Sequence, residues 1–326
     1  MLVDRFKREH DYLRVSVTDR CNLRCSYCMP EEGFEDLEHS EILRNEEFIE
    51  LISVFVSMGI KKIRFTGGEP LVRKGFINII RETKEIAPDL QLAVTTNGVM
   101  LGECLDDLHE LGVKKINISL DTLLRERFLK LTRRDFLPQV LDNIERVLRY
   151  GTFELKLNTV LLHGTLEEID DFIDYCLQRS LVLRFIEHMP FQTAGASFVS
   201  SDILLKELAE RGELIRSEEG DSAVAFGYTL NLPARGTVRI GVIPPISHKF
   251  CTACNRLRLT ANGLLKTCLL SSSEYNIKKS LRDGAREAQL KDIIISALCE
   301  KNAGHCLDSK YPDGNSGIKM MSRIGG

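Results

Sequence analysis

A chain of 326 residues has material for one large domain or a domain and a half. Hydrophobic residues make up 43% and charged residues 28%, ordinary for a globular protein, and 44 Lys and Arg against 47 Asp and Glu leave a formal charge of −3. That balance excludes a global basic field for nucleic acid or membrane, so an anionic ligand must be met by a local cluster.

Taken in chain order, short β-branched or apolar runs predict strands at 13–18, 62–66, 90–96, 115–120, 154–161 and 182–186. Helical patterns lie between them at 45–58, 74–86, 102–111, 137–149 and 166–179. Alternation of this kind means βαβ units and a parallel sheet. Six units fall short of a closed eight-stranded barrel, so the predicted fold is α/β, an incomplete (β/α)6 TIM-like barrel with one side open. Beyond a helical stretch at 200–211 the pattern changes. Residues 216–270 are Gly-rich with short strands at 224–230, 237–242 and 256–260, residues 271–301 read helical, and the tail is rich in Gly and Ser. The expected division is a barrel over 1–211 and a C-terminal region over 212–326. No apolar stretch approaches the ~18–20 residues needed to cross a bilayer, and the first ten residues lack an apolar signal segment, so a soluble, cytoplasmic protein is expected.

Ten cysteines are too few for a disulfide scaffold at this length, and six fall into two spaced groups. The first is Cys21, Cys25 and Cys28, a CxxxCxxC run with Tyr27 before its last cysteine. Three thiolates hold three irons of a four-iron cluster and leave the fourth open to a ligand. A structural zinc loop normally wants four protein ligands. The second group is Cys251, Cys254 and Cys268, where His248 offers a fourth ligand and keeps a Cys3His zinc site open as an alternative. Arg256 and Arg258 follow at strand spacing on one face. Paired guanidiniums suit phosphate oxygens, although two solvated arginines on an edge strand fit the pattern as well. Cys104 and Cys176 lie in helical stretches and read as packed thiols, Cys299 and Cys306 have no ligand spacing, and the charge run 130–135 reads as a solvated helix end.

The other unusual residues sit just after the predicted strands, where βα loops build active sites. Strand two ends in Thr66-Gly67-Gly68-Glu69-Pro70, strand three in Thr95-Thr96-Asn97-Gly98 and strand four in Ser119-Leu120-Asp121. Strand five carries Lys156-Leu157-Asn158 and strand six runs into Glu187-His188-Met189-Pro190. Each alone is an ordinary turn or cap; their shared position is what suggests a pocket. Two glycines allow a ligand close to the backbone, and Glu69 is placed to orient an amine. There is no GxxxxGK[ST] phosphate loop.

The CxxxCxxC run and the Gly-Gly-Glu-Pro turn resemble the radical S-adenosylmethionine (SAM) superfamily. With the second cysteine group, Cys254-Asn255-Arg256-Leu257-Arg258 and the Gly325-Gly326 end, the chain from 13 to 326 resembles the GTP 3′,8-cyclases that open molybdenum cofactor biosynthesis. The resemblance implies two [4Fe–4S] clusters, one on Cys21, Cys25 and Cys28 that binds SAM, and an auxiliary one on Cys251, Cys254 and Cys268 whose open iron takes the guanine edge. It implies a 5′-deoxyadenosyl radical that removes the 3′ hydrogen of GTP, after which the sugar radical closes on C8 to give 3′,8-cyclo-7,8-dihydro-GTP. By motif match, Tyr27, Gly68, Ser119 and Met189 would contact SAM. Arg14, Arg64, Thr95, Lys156, Arg256 and Arg258 would contact GTP, and Gly325 and Gly326 would form a catalytic arm reaching into the site. Implied partners are a small flavodoxin- or ferredoxin-like electron donor, a pterin-forming synthase that takes the product, and a second copy in a homodimer, with no nucleic acid and no membrane. Two departures stand out: the 163–169 loop is one residue shorter than the family pattern and lacks its Asn-Asp pair, and His188 replaces the family's commoner residues. The competing readings are a peptide-modifying radical SAM enzyme with an auxiliary cluster, and a non-enzymatic zinc or iron–sulfur protein.

Overall fold

The computed structural model describes residues 1–33, 37–189, 198–217, 224–305 and 321–324. Strand and helix alternate through the first half: β1 (Tyr12–Ser16), α1 (Asn45–Ser57), β2 (Lys62–Thr66), α2 (Phe76–Ile86), β3 (Gln91–Thr96), α3 (Leu105–Glu110), β4 (Lys115–Ser119), α4 (Arg125–Thr132), α5 (Leu137–Tyr150), β5 (Glu154–Leu161), α6 (Ile169–Arg179) and β6 (Val182–Glu187). The remainder comprises α7 (Ser201–Arg211), β7 (Glu213–Arg216), β8 (Phe226–Leu232), β9 (Gly236–Ile243), β10 (Arg256–Leu259), β11 (Leu264–Lys266), β12 (Tyr275–Asn276), α8 (Ile277–Arg282), α9 (Glu287–Cys299) and α10 (Met321–Ile324).

Strands β1 to β6 run parallel and in order, the six-unit partial barrel expected from the sequence. Its two edges are taken by the C-terminal region: β10 pairs in parallel with β1, and β9 with β6. The sheet therefore runs β12-β11-β10-β1-β2-β3-β4-β5-β6-β9-β8-β7, with eight parallel strands at its centre. Strand pairing, rather than a linker, fixes the C-terminal segment against the barrel.

The strands alternate polar and apolar residues, which sorts them onto two faces. Leu13, Val15, Ile63, Phe65, Ile116, Ile118, Leu155 and Leu157 point outward and are buried under the helices. Helix α1 contributes Phe48, Leu51, Ile52 and Phe55 to that layer. The alternate residues, such as Arg14, Arg64, Asn117 and Lys156, face inward and line a cavity.

The short strands β7, β11 and β12 were not predicted, and three helical segments differ most from the sequence reading. Helix α4 was not predicted, because Arg125–Thr132 buries only Phe128 and Thr132 and shows little apolar periodicity. The stretch 271–301 is not one helix, because Gly284, at φ +85°, separates α8 from α9. Helix α6 begins at Ile169 rather than 166, behind a short 3-10 turn at His163–Glu168.

Two buried carboxylates tie distant segments together. Glu187, at the end of β6, accepts the backbone N–H groups of Ser201 at 2.7 Å and of Ile246 and Ser247 at 3.0 Å, fixing α7 and the chain that leaves β9. Glu47, in the first turn of α1, caps its own helix through the Arg44 N–H at 2.7 Å and receives Arg282 of α8 at 2.8 and 3.0 Å. The Arg282 hydrogen bonds, followed by the Arg44 N–H, hold Glu47 down at about 2 against the burial that would raise it. Its folded-state value lies below the unfolded one, so its contribution is complete above about pH 4.5 and disappears as pH falls toward 2. Replacing Glu47 with Gln should lower unfolding free energy by about 2 kcal/mol at neutral pH. Urea titrations at a series of pH values should show the gap from wild type closing below about pH 4.

Candidate active site

One cavity of about 770 Å³ opens on the inner face of the partial barrel and is lined by all six cysteines of the two groups. Its volume lies in the upper part of the range for small-molecule and cofactor sites. Tyr27, Gly68, Ser119, Met189, Arg14, Arg64, Thr95, Lys156, Arg256 and Arg258 also line it. Gly325 and Gly326 lie outside the described residues, as does Cys306.

At one end, the loop after β1 carries Cys21, Cys25 and Cys28. The loop is held from both sides. From α4, the carbonyls of Thr132 and Leu131 accept the N–H groups of Arg24 and Ser26, both at 2.9 Å. Arg133 adopts a left-handed backbone at φ +56° and donates to the carbonyls of Arg24 at 2.9 Å and Met29 at 3.2 Å. The 130–135 charge run thus ends in an anchor for the cysteine loop as well as a solvated face. From β2, the Gly68 and Glu69 N–H groups each donate at 2.8 Å, to the carbonyls of Thr18 and Arg20. A Cβ at Gly68 would overlap the Arg20 carbonyl, so no larger residue fits beside the loop as it stands.

The donor set fits an iron–sulfur cluster. Burial pushes the Cys21 thiol up to about 12 and raises Cys25 well above its usual range, so these thiols stay protonated unless a cationic centre meets them. The Leu23 N–H, at 3.4 Å, and Asn97 Nδ2, at 3.8 Å, already donate to Cys21 Sγ, as they would to a cluster thiolate. Nearby, burial raises Glu69 to about 7 against the bonds it accepts from the Asn97 N–H at 2.7 Å, the Thr96 hydroxyl at 2.8 Å and the Leu71 N–H at 3.1 Å. A carboxyl poised there gains most from an ammonium group, consistent with the amine-orienting role read from the sequence. The Tyr27 hydroxyl donates to Asp121 at 2.5 Å, which sets the aromatic wall of this end.

At the opposite end, Cys251 and Cys254 form a tight turn before β10 and Cys268 follows β11. The N-terminal segment clamps this turn: Arg8, paired with Asp4 at 2.6 Å, donates to the carbonyls of Cys251 at 2.8 Å, Ala303 at 2.9 Å and Asn302 at 2.7 Å. Burial raises Cys268, opposed by the Leu270 N–H and the nearby Lys301 and Arg258 charges. His248 does not complete a Cys3His set, because it lies at the surface with Nε2 2.7 Å from Asp202. Among the described residues no three His, Cys, Asp or Glu side chains converge on a single-ion site.

Between the two cysteine groups stands a wall of cations. Parallel register places Arg258, Arg14 and Arg64 side by side on β10, β1 and β2, and Arg256, Tyr12 and Lys62 in the row before them. They are not solvated arginines on an edge strand, since β11 and β12 lie outside β10 and Arg258 is only 6% exposed. Burial, and then the Arg258 charge, hold Arg14 well below its usual range; burial and Arg256 bring Arg258 down to about 10. Arg64 is aimed by bonds to Tyr12 at 2.8 Å, the Val94 carbonyl at 2.8 Å and Thr95 at 3.2 Å. Arg256 Nε and Asn158 Oδ1 are buried on the cavity wall without a hydrogen-bond partner among the described residues, as groups awaiting a polar ligand are.

Sequence reasoning missed Tyr12, Lys62, Lys115, Asn117 and Arg184, all on the inner wall. The signal for the first four was present in the alternation Tyr-Leu-Arg-Val-Ser, Lys-Ile-Arg-Phe-Thr and Lys-Ile-Asn-Ile-Ser, which marks a polar inner face; Arg184 lies in the largely apolar β6, which carries no such pattern. Met189 packs with Met321, Leu269 and Leu270 around Ile324, so α10 reaches the cavity wall immediately before Gly325.

Residues 15–176 match the model of the radical SAM superfamily, and residues 181–307 match Molybdenum Cofactor Synthesis C. The chain is 40% identical to a GTP 3′,8-cyclase of Listeria monocytogenes, covering 100% of this chain and 99% of that relative. It is 42% identical to molybdenum cofactor biosynthesis protein 1 of Dictyostelium discoideum over 94% of this chain, and spans about half of that longer relative, 49%. Among solved structures, Streptococcus suis SuiB bound to S-adenosylmethionine superposes with a TM-score of 0.62 over 90% of this chain and 68% of its own, at 13% identity. An AdoMet-bound anSMEcpe structure gives 0.51 over 61% of this chain and 56% of its own, at 18% identity. At those identities the likeness is one of fold. With the cysteine loop, the Gly-Gly-Glu-Pro turn and the full-length relatives together, the chain belongs to the GTP 3′,8-cyclase family of radical SAM enzymes.

Proposed function

We propose that this protein cyclises GTP to 3′,8-cyclo-7,8-dihydro-GTP, the first step of molybdenum cofactor biosynthesis. The observation that carries the reading is the row Arg258, Arg14 and Arg64, in register between two cysteine groups on one cavity. Cys21, Cys25 and Cys28 would hold a [4Fe–4S] cluster that, with SAM, would supply the radical chemistry, and Cys251, Cys254 and Cys268 would hold a second cluster at the nucleotide end of the cavity.

The chain's own work is binding, orientation and exclusion of water. Tyr27, Gly68, Ser119 and Met189 wall the SAM end, with Glu69 facing its ammonium. Arg14, Arg64, Arg256, Arg258 and Lys156 receive the triphosphate through charge-assisted bonds, joined by Lys62 and Arg184 from the same wall. Thr95 holds Arg64 at its working angle. Gly325 and Gly326 act as the catalytic arm of the family's tail. Residues 1–211 form the radical-generating barrel and supply Arg14, Arg64 and Lys156 to the substrate, while 212–326 form the auxiliary-cluster region and add Arg256 and Arg258. A small flavodoxin- or ferredoxin-like protein delivers the electron, a pterin-forming synthase takes the product, and the protein works in the cytoplasm as a homodimer. Among the described residues no helix is long and apolar enough to cross a membrane.

Anaerobically reconstituted protein should hold about eight irons per chain. With reductant, SAM and GTP it should release 5′-deoxyadenosine and a cyclised nucleotide in equal amounts; a lack of any GTP-dependent product would refute the assignment. Arg258→Ala should weaken GTP binding by about 10- to 100-fold in equilibrium dialysis while SAM binding is retained. Gly68→Ala should do the reverse, because its Cβ displaces the loop that carries Arg20, not the arginine wall.

A further inference from the structure

The arginine wall contains one phenol that the assigned contacts leave unused. Tyr12 stands on β1 in register with Lys62 of β2 and Arg256 of β10, and is 7% exposed. Its hydroxyl accepts the Arg64 Nε–H at 2.8 Å. The Lys62 ammonium lies 4.8 Å from its ring centroid and the Arg256 guanidinium 5.5 Å. Arg14 on its own strand and Arg258 on β10 add further positive charge, and Arg184 on β6 acts on Lys62 and Arg256. Tyr12 therefore touches three of the cations through its oxygen or its ring face, and both contacts are attractive.

We propose, resting on the GTP reading above, that Tyr12 is a positioning residue and the resident counter-charge of the polyphosphate site: it holds Arg64 in place while the site is empty and takes up a proton from solvent when a polyphosphate arrives. Burial alone would raise the phenol, but Arg64, Arg14, Arg256 and Lys62 bring it down to about 7. A phenolate is then well populated at neutral pH, sharing the wall with the cations it neutralises. A triphosphate brought onto those cations repels the phenolate and restores the phenol. Bound nucleotide raises the Tyr12 value, so above about pH 7 binding takes up a proton and affinity falls as pH rises, by up to about tenfold per unit. Below that pH the phenol is already protonated and the dependence disappears.

The test is calorimetric titration of GTP into the full-length, cluster-loaded protein, without SAM or reductant, from about pH 7 to 9 in buffers of differing ionisation enthalpy. Wild type should take up close to one proton per GTP near pH 8, and the ultraviolet phenolate band should fall on GTP addition. Tyr12→Phe keeps the ring and should still bind GTP, with proton uptake near zero and a flat pH profile. Uptake that persists in Tyr12→Phe would place the proton on another group of the wall, such as Lys62 or Lys301, both lowered by burial, and overturn the proposal. An unchanged phenolate band in wild type would overturn it without recourse to the variant. A protein that binds no GTP at any pH would overturn the functional reading itself, and this inference with it.

Discussion

Like charges resist being gathered and buried, and that constraint organises this molecule. Arg258, Arg14 and Arg64 sit on three adjacent parallel strands in the same register row, with Arg256 and Lys62 one row away. Neighbouring strands lie about 4.8 Å apart, too close for guanidiniums to ignore one another. The fold tolerates the arrangement because each strand's alternate residues, such as Leu13, Ile63 and Leu257, are locked under the helices. Apolar burial on the outer face stabilises a sheet whose inner face is electrostatically strained. An anionic ligand would relieve that strain, which is how the proposed polyphosphate would be held although the chain as a whole is slightly acidic.

The sheet also explains how two cysteine groups far apart in sequence come to share one cavity. Strand β10 lies directly against β1, so the turn holding Cys251 and Cys254 is rooted beside the strand that leads into Cys21. Arg8 closes the arrangement from the N-terminus by bonding the Cys251 carbonyl. At the other edge, Glu187 ties the end of β6 to the chain leaving β9. What reads in sequence as a barrel followed by a cap is one hydrogen-bonded sheet whose outer strands are supplied by the cap.

Local features were legible in the sequence, and features that depend on register were not. Cys21, Cys25 and Cys28 announce themselves by spacing, and Gly67 and Gly68 by their place after a strand, because each signal is confined to a few residues. The alternation in 115–119 and 154–158 is equally local, yet its meaning appears only when Asn117 is set beside Lys156 by strand pairing. Tyr12 carries no motif; its setting is created by Lys62 and Arg256, which approach it from opposite sides. Arg133 belonged to a run that looked merely solvated, and its role follows from a left-handed backbone that turns it toward Arg24 and Met29. Helix α4 escaped because its stability comes from packing against α5 and the cysteine loop rather than from an apolar stripe of its own.

On the proposed function, the cavity brings the sugar of GTP to the radical made at the Cys21, Cys25 and Cys28 end. Mass analysis of 5′-deoxyadenosine formed anaerobically from GTP deuterated at the 3′ carbon tests it most directly. The deuterium should be transferred into 5′-deoxyadenosine, with the nucleotide product losing it. Unlabelled 5′-deoxyadenosine accompanied by fully deuterated nucleotide would contradict it.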